Sequence, residues 1–439
     1  MSVSPFEDRY KTEMNAIFED DYRLKLWLKV EVALAHAHAK LGHISKSSAQ
    51  AIEEGAKRVK LARVNEIEAE IHHDLMAMVR ALTEQCKGQG QAVHLGATSY
   101  DIEDTATALQ FREGMDLLRS RIAPLRKVLK FLALEKASTV CIGRTHGQHA
   151  VPTTYGMKFA IYYTELGRNL ERLDEARKRI SVGKMSGATG TMATFGKDGF
   201  ELQQAVMDGL GLTPAPVTNQ VVQRDRHAEV MFVLALVAST LDKMAKEVRN
   251  LQRTEIMEIA EPFSSKQVGS STMPQKRNPH KAERICSLAR LVRSNVIVAL
   301  ENIALEHERD LTNSANERAI FPGSFIATDY MLKEMHKILT GIQFFPSQIE
   351  RNLNFTHGLV LSERVMIALT EHGMGRQEAH ELMPTSAMEA FRDRRPLLEV
   401  LSEKKEVTRR IKKHELEILF NPHTYIGLAP QIVKKAVEG

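Results

Sequence analysis

Residues 269–284 read GSSTMPQKRNPHKAER and combine small, hydroxyl-bearing and cationic side chains. Asn278 and Pro279 are residue types that begin helices, because Asn caps unpaired N–H groups and Pro has no N–H to lose. The partial positive charge of a helix N-terminus suits an anion. Lys276 adds a full charge, and this concentration of positive potential favours the alkoxide of a nearby serine, a strong base. An ordinary capped surface loop is the alternative explanation of the same residues.

A second candidate is the segment RTHGQH at 144–149. His146 has a reference pKa of about 6.5 and can carry a donor proton near neutral pH. Taken alone, it is more typical of a capping or core histidine than of a catalytic acid. His149 follows at H-x-x-H spacing, but neither an HExxH motif nor a cluster of carboxylate ligands accompanies it. The pattern therefore predicts no metal site.

The elements that hold these residues belong to a chain of 439 residues, long enough for two or three domains and a large core. Its composition of 43% hydrophobic and 26% charged residues is typical of a soluble globular protein. The net charge is +5, with both signs interspersed along the chain. This pattern excludes a nucleic-acid-binding stripe but suits a small anionic substrate.

The cysteines and the N-terminus indicate where the protein works. Cys86, Cys141 and Cys286 lie far apart and form no CxxC pair, which fits a reducing compartment. The first 14 residues mix acidic, basic and polar side chains and do not resemble a signal peptide. The apolar run 230–241 is shorter than the about 20 residues that span a bilayer. We expect a cytoplasmic protein.

Apolar residues at helical spacing dominate the chain, and strand patterns are scarce. The pattern predicts long helices over 21–41, 155–180, 226–259 and 279–309. The acidic cluster DIEDT (101–105) lacks EF-hand spacing and predicts the start of another helix. Helices of twice the average length indicate a bundle with parallel axes. Residues 228–241 are apolar on every helical face, which predicts burial inside the bundle or against a neighbouring subunit. Changes in pattern near residues 95 and 346 divide the chain into segments 1–95, 96–345 and 346–439, with the loop 269–279 in the second.

The loop GSSTMPQKRNP resembles the signature of the fumarase/aspartase superfamily, and every fixed position matches. Members of that superfamily release fumarate, or a close analogue, from succinyl-type substrates. Within it, the chain is most similar to the adenylosuccinate lyase family, over nearly its whole length. The matching segments are Arg9-Tyr10 with Glu13-Met14, His72-His73-Asp74, HLGATSYDIEDT (94–105), RTHGQHAVPTT (144–154), VQRDRHAE (222–229), HERDLTNSANER (307–318) and NPHTYIGLAPQIV (421–433).

The resemblance implies an all-α, three-domain fold of the fumarase/aspartase type, with a central long-helix bundle that assembles into a multi-subunit helical core. It implies a homotetramer whose active sites are shared between subunits. It also implies a reaction: release of fumarate from adenylosuccinate to give AMP, and from succinyl-aminoimidazole-carboxamide ribotide (SAICAR) to give AICAR, in purine biosynthesis. The family needs no cofactor for this elimination, and none is expected here.

The same resemblance implies catalytic roles. Ser270 is the base, His146 is the general acid that protonates the leaving amine, and Glu283 orients His146. Lys276 and Asn278 hold the carboxylate whose charge grows in the transition state. The residues implied to bind substrate are Arg9, Tyr10, His72, His73, Asp74, His94, Thr98, Ser99, Thr145, Gln223, Ser271, Asn278, Arg284, Arg309, Ser314 and Arg318.

Other functions stay open at this point. The nearest alternatives are a lyase or cycloisomerase of the carboxymuconate cycloisomerase type or the argininosuccinate lyase type. Arg9, Arg309 and Arg318 discriminate against them, because a substrate without a phosphate has no need of this set. A non-catalytic helical scaffold is a third alternative. The intact candidate base Ser270 and candidate acid His146 argue against it.

Overall fold

The computed structural model describes residues 4–263, 272–273 and 275–438. The helices are α1 (Asn15–Phe18), α2 (Asp20–Lys40), α3 (Lys46–Ala56), α4 (Leu61–Ile71), α5 (Asp74–Gln85), α6 (Ser99–Glu135), α7 (Tyr155–Ile180), α8 (Gly199–Leu210), α9 (Asp225–Leu251), α10 (His280–Glu301), α11 (Ser314–Thr340), α12 (Pro346–Leu353), α13 (Ser362–Glu371), α14 (Arg376–Asp393), α15 (Leu397–Glu403), α16 (Lys405–Thr408), α17 (Lys413–Leu419) and α18 (Ala429–Glu438). The strands are β1 (Val140–Thr145), β2 (Gln148–Thr154), β3 (Val182–Gly183), β4 (Thr213–Pro214), β5 (Ile259–Ala260) and β6 (Gln343–Phe344). The strands pair as β1–β2, β3–β4 and β5–β6. The predicted helical character is confirmed.

The chain divides into two compact units. The first unit comprises Met1–Ala123, Arg168–Asp242 and Ile285–Glu334. The second unit comprises Pro124–Gly167, Lys243–Arg284 and Met335–Gly439. The predicted division at residues 95 and 346 follows sequence order and stays a prediction. Among the described residues, no helix is both long and apolar enough to cross a membrane.

Two of the four predicted long helices are confirmed and two end early. The predictions 21–41 and 155–180 correspond to α2 and α7. The prediction 226–259 was too long, because α9 ends at Leu251. The chain then turns back, and the N–H of Glu258 donates to the Leu251 carbonyl at 2.9 Å. The prediction 279–309 was also too long. Helix α10 ends at Glu301, and the amides of Asn302 and Asn316 then bond to each other.

Helix α6 has 37 residues, and the chemistry of its first turn explains where it begins. The backbone N–H of Thr98 donates to Oδ2 of Asp101 at 2.9 Å, as in a capping box. The helix therefore starts at Ser99, which agrees with the helix start predicted at the acidic cluster 101–105. Pro124 lies inside the helix, where a proline removes one backbone hydrogen bond.

Helix α2 packs an apolar face into the core of the first unit. Trp27, Val30 and Leu34 on this face are buried at spacings of three and four residues, as expected of an amphipathic helix. The same face also buries two polar residues, Glu31 and His38. Buried polar side chains are the informative exceptions to core composition, because each must find a partner.

Candidate active site

A cavity of about 610 Å³ in the first unit gathers many of the residues implied to bind substrate. It lies where the end of α4, the starts of α5, α6 and α11, and the loop before α11 meet. The predicted site residues in its wall are His72, His73, Asp74, Ser99, Arg309, Ser314 and Arg318. Predicted residues from three distant parts of the sequence therefore converge on one space.

Two arginines supply positive charge to this cavity, and both are held in place. Arg318 Nη2 lies 2.6 Å from Oδ2 of Asp74. The guanidinium of Arg309 lies 3.5 Å from the ring centroid of Tyr100, and its Nη1 donates to the Gln220 amide oxygen at 2.9 Å. A fixed guanidinium fork binds two oxygens of a phosphate or carboxylate at once. The cavity is therefore suited to an oxyanion.

Glu103 also faces the cavity, one helical turn after Ser99. Burial raises the pKa of its carboxyl group to about 8, and the nearby carboxylates of Asp74 and Asp104 add to the effect. The guanidinium groups of Arg309 and Arg318 oppose it. Near neutral pH the cavity wall therefore carries an uncharged, proton-donating carboxyl group beside its two arginines.

His94 and Thr98, both predicted to bind substrate, lie on the turn that leads into α6 and do not line this cavity. His94 has a left-handed backbone with φ of 60°, uncommon for a residue other than glycine. Burial opposes a charge on its ring, but the hydrogen bond and charge of Glu31 and the charge of Asp101 raise its pKa overall.

Three further predicted residues of the first unit also lie outside the cavity wall. Arg9 is exposed in the turn before α1, and the ring of Tyr10 packs edge-on against Tyr330 at 5.2 Å. Gln223 is exposed two residues before α9, and its amide donates to the Val221 carbonyl at 3.4 Å. None of these three completes the cavity within one chain.

In the second unit, His146 occupies the tip of the hairpin formed by β1 and β2. Thr145 pairs with Gln148, so His146 and Gly147 are the two turn residues, with φ of 53° and 77°. A two-residue hairpin turn of type I′ requires positive φ at both positions, because only this twist matches the strands. The turn leaves the side chain of His146 exposed. Thr145, also predicted to bind substrate, is exposed beside it.

The base of this hairpin is anchored by a fully buried carboxylate, that of Glu258. It accepts hydrogen bonds from Arg144 Nη2 at 2.5 Å, the Tyr155 hydroxyl at 2.6 Å and Asn352 Nδ2 at 3.0 Å. Arg144 lies in β1, two residues before His146, and Tyr155 directly follows β2. A buried carboxylate that is fully hydrogen-bonded holds its partners in place. Through Arg144, Glu258 holds β1, the strand that ends beside His146.

The signature loop is only partly covered by the structure. Ser270 and Ser271 lie outside the described residues. Lys276 is exposed, and its backbone N–H donates to the Met273 carbonyl at 3.0 Å. The predicted helix start at Asn278 and Pro279 is confirmed to within one residue, since α10 begins at His280 and the Glu283 N–H donates to the Pro279 carbonyl.

The N-terminus of this helix was expected to suit an anion. The backbone N–H groups of Lys281 and Ala282 donate to the carboxylate of Glu261, at 3.3 and 3.1 Å. Glu261 is thus the anion at this helix N-terminus, as the helix dipole favours. Burial raises the pKa of Glu261 in spite of these hydrogen bonds.

Glu283 lies on the first turn of α10 with Arg284 beside it, and its side chain is exposed. Among the described residues of a single chain, no hydrogen bond joins Glu283 to His146. The expected orienting pair is therefore not formed within one chain. A hairpin tip and a helix start that both face outward are accessible to a second chain.

Sequence reasoning missed Tyr100, Glu103 and Gln220, which line the cavity together with the predicted residues. The cluster DIEDT was interpreted only as a helix start. The signal that could have found Glu103 is its spacing: it lies four residues after Ser99, on the same face of α6. Gln220 and Tyr100 offered no comparable signal, because their contacts with Arg309 are long-range.

Comparison with known proteins decides the family. Residues 7–294 match the family described as Lyase, and residues 358–436 match the family described as Adenylosuccinate lyase C-terminus. The adenylosuccinate lyase of Pyrococcus horikoshii is 56% identical over 441 residues, covering 100% of this chain and 98% of the relative. That of Methanocaldococcus jannaschii is 50% identical, covering 100% and 96%. The chain belongs to the adenylosuccinate lyase family.

Solved structures agree on the fold. The crystal structure of a fumarate lyase from Mesorhizobium sp. BNC1 superposes with a TM-score of 0.91 at 32% identity, covering 97% of each chain. A 3-carboxy-cis,cis-muconate lactonizing enzyme from Pseudomonas putida gives 0.90 at 34% identity, covering 99% of this chain and 98% of that chain. The predicted all-α fold and the resemblance read from the signature loop are confirmed. The 50–56% identity to adenylosuccinate lyases exceeds both values and does not favour the cycloisomerase alternative.

Proposed function

We propose that this protein cleaves adenylosuccinate to AMP and fumarate, and SAICAR to AICAR and fumarate, in purine biosynthesis. The 56% identity to an adenylosuccinate lyase, over the whole length of both chains, carries the proposal. The cavity of the first unit supports it, since two fixed arginines and a serine suit the phosphate that both substrates carry.

The elimination needs three chemical functions. A base removes a proton from the succinyl carbon next to the carboxylate, and the electron pair left behind is delocalised into that carboxylate. The pair then forms the double bond of fumarate as the C–N bond breaks and an acid protonates the departing nitrogen. A cation beside the carboxylate lowers the barrier, because the negative charge there grows in the transition state.

The proposed roles follow the resemblance. Ser270 is the base, Lys276 and Asn278 hold the succinyl carboxylate, and His146 is the acid. The exposed hairpin tip supports the role of His146, because it presents the ring to a substrate while the buried Glu258 holds the base of the hairpin. Glu283 orients His146, and we propose that this pair forms between subunits.

We also propose a homotetramer with active sites built from several chains. Apolar side chains along the long helices of the first unit support it: in a single chain Phe232 on α9 is 53% exposed and Ile297 on α10 is 62% exposed. Large exposed apolar surface on long helices is typical of subunit interfaces. The cytoplasm remains the proposed location, since Cys86, Cys141 and Cys286 are all buried thiols.

The direct test is turnover of adenylosuccinate, followed by the change in ultraviolet absorbance as AMP forms. We expect wild-type turnover, and we expect Ser270→Ala to reduce kcat by about 10²–10⁴-fold. Ser47→Ala, at an exposed serine on α3, is the matched control and should retain wild-type activity. No turnover by a folded oligomer would reject the substrate, and 3-carboxymuconate would be tested next. Equal activity of wild type and Ser270→Ala would remove Ser270 as the base.

Shared active sites are tested by mixing two inactive variants, Ser270→Ala and His146→Gln. If one site takes these residues from different chains, mixed tetramers contain some sites in which both are intact. Activity should then return after the two proteins are denatured and refolded together, but not when each is refolded alone. No recovery in verified mixed oligomers would show that both residues come from one chain.

A further inference from the structure

The turn before α6 is held by a buried acid on α2. The carboxylate of Glu31 is 1% exposed, and its Oε1 lies 2.6 Å from Nδ1 of His94, whose side chain is 12% exposed. Its Oε2 accepts the backbone N–H of the same histidine at 3.1 Å. A single carboxylate thus binds both the ring and the backbone of His94, across 63 residues of sequence.

These contacts determine which ring nitrogen of His94 carries a proton. An ionised carboxylate has no proton to give, so Nδ1 must donate. The other nitrogen, Nε2, is then a bare acceptor if the ring is neutral and a donor if the ring is charged. A phosphate or carboxylate of a substrate offers only lone pairs. His94 can bind such an oxygen through Nε2 only when the ring carries both protons.

We propose that Glu31 is a positioning residue, which fixes the ring of His94 and keeps it doubly protonated so that Nε2–H donates to an anionic oxygen of the substrate. The inference rests on the proposed function and adds to it a residue that never touches the substrate. The oxygen belongs either to the phosphate or to a succinyl carboxylate of the substrate, since both are anionic hydrogen-bond acceptors.

The other groups that face His94 agree with a charged ring. Burial opposes the charge, but the hydrogen bond and charge of Glu31, with the charge of Asp101 on α6, outweigh it and raise the pKa of His94 above its usual value. The ring therefore stays protonated at a pH at which an isolated histidine would be neutral. Without the carboxylate charge of Glu31, burial would dominate and the ring would lose its second proton near neutral pH.

The rest of the turn is fixed as firmly as His94. Buried His38 on α2 bonds through Nε2 to the Leu95 carbonyl at 3.0 Å, and the Thr194 hydroxyl donates to the Gly96 carbonyl at 2.6 Å. Asp101 accepts the backbone N–H of Thr98. A non-glycine residue in the left-handed region persists only where its surroundings over-determine it, and strained residues of this kind cluster at functional sites.

A second histidine–glutamate pair in the same unit provides a matched control. His36 Nε2 lies 2.8 Å from Glu53 Oε2, but these side chains are 48% and 40% exposed. Each pair has one member on α2, and the distances from imidazole nitrogen to carboxylate oxygen are similar in the two pairs. Only Glu31 is buried behind a residue of the predicted site, so Glu53→Gln should leave activity unchanged.

The experiment is the pH profile of kcat/KM for adenylosuccinate in the full-length enzyme. Glu31→Gln preserves shape and the hydrogen bond to Nδ1 but removes the charge. We expect kcat/KM to fall about 10- to 100-fold at pH 7.5, the range found when carboxylates behind metal-binding histidines are removed. The difference in kcat/KM between wild type and Glu31→Gln should decrease as the pH falls towards 5.5, because the His94 ring is then protonated even without the charge of Glu31. A deficit that is the same at every pH would overturn the proposal.

Product inhibition identifies the oxygen that His94 binds. If Nε2–H donates to the phosphate, Glu31→Gln should weaken inhibition by AMP and leave inhibition by fumarate unchanged. If it donates to a succinyl carboxylate, fumarate inhibition should weaken instead. Unchanged inhibition by both products would contradict the proposed donor.

A double variant tests whether Glu31 acts through His94. In a His94→Gln background, Glu31→Gln should cause little further loss, because the two residues act as one unit. A further full loss would overturn the proposal.

If Glu31→Gln fails to assemble, the pKa of His94 in the wild type is measured instead, by titration of the protein with labelled histidine rings. The His94 signal is assigned as the one that is missing in His94→Gln. A pKa above about 6.5 supports the proposal and a lower one rejects it. This readout stands even if adenylosuccinate is not the substrate.

Discussion

The ammonium group of Lys184 lies 2.5 Å from Oδ1 of Asp101, and both side chains are fully buried. The same carboxylate accepts backbone N–H groups from Thr98, Ser186 and Gly187, at 2.9, 2.8 and 3.0 Å. One buried ion pair therefore ties the first turn of α6 to the segment that follows β3. The turn that carries His94 and Thr98 depends on it.

We predict that Lys184→Met destabilises the protein by about 3–5 kcal/mol, because removal of one partner leaves a buried charge uncompensated. We expect a loss at the lower end of that range, because three backbone N–H groups would still donate to the Asp101 carboxylate. The measurement is the free energy of unfolding in urea, at one fixed protein concentration for wild type and variants. Lys57→Met, at the exposed pair with Glu54, should have little effect on the free energy of unfolding. Equal losses in both variants would contradict the assigned role.

A second prediction concerns Glu103, whose pKa is raised to about 8 by burial and by neighbouring carboxylates. Above that pH the group becomes negative and repels an anionic substrate by about 1 kcal/mol, equivalent to about a fivefold rise in KM. Glu103→Gln cannot ionise and should show a smaller rise in KM between pH 7 and pH 9. Glu70→Gln, at an exposed position on α4, should follow the wild-type curve. A Glu103→Gln curve that overlays the wild type would exclude this effect.

A third prediction concerns acid stability. Burial, with the positive charge of Arg224, lowers the pKa of His227 to about 3. The ring packs against both Phe111 and Phe321 in the first unit. In the unfolded chain the pKa is about 6.5, so the unfolded state binds more protons below that pH and stability falls as the pH falls from 6.5 towards 3. Between pH 7 and pH 5 this one group should account for a loss of about 2 kcal/mol.

His227→Phe should remove the loss of about 2 kcal/mol between pH 7 and pH 5. This holds whether or not the substitution also changes the free energy of unfolding at pH 7. The measurement is the difference in free energy of unfolding between pH 7 and pH 5 for each protein. His380→Gln, at an exposed histidine on α14, should keep the wild-type difference. If His227→Phe keeps it too, the ring is not held neutral in the folded protein.

A fourth prediction concerns the anchor of the hairpin formed by β1 and β2. Tyr155→Phe removes the hydroxyl that donates to buried Glu258 at 2.6 Å. Hydrogen bonds to charged groups contribute about 1.5–3 kcal/mol, so the free energy of unfolding should fall by that amount. Tyr163→Phe keeps its ring against Arg126 and serves as the control. A Tyr155→Phe protein as stable as the control would show that Glu258 finds another donor.

The sequence was sufficient for features that depend on local pattern. Helices α2 and α7 follow from apolar spacing, and the start of α10 follows from Asn278 and Pro279, because capping is decided within a few residues. The superfamily followed from the signature loop, whose fixed positions all match, and the family followed from matching segments along nearly the whole chain. Residues such as Arg309 and Arg318 were identified through segments that resemble the family, not through any property of an isolated arginine.

Features that depend on long-range contacts could not be predicted. The hydrogen bond of Glu31 with His94 spans 63 residues, and the end of α9 is set by a turn that Glu258 closes. Burial, which raises the pKa of Glu103, is likewise a property of the folded chain. The proposed pairing of Glu283 with His146 between subunits would likewise be a long-range contact, which local sequence pattern does not predict.

The left-handed backbone of the histidines has a consequence for protein engineering. His72, His94 and His146 all have positive φ, where glycine is favoured on conformational grounds. A design procedure that optimises thermostability alone would select glycine at these positions and relax the backbone. In doing so it would delete the imidazoles on which the proposed chemistry depends. At these three positions robustness and catalysis are competing objectives, so variant libraries built for industrial stability should hold them constant.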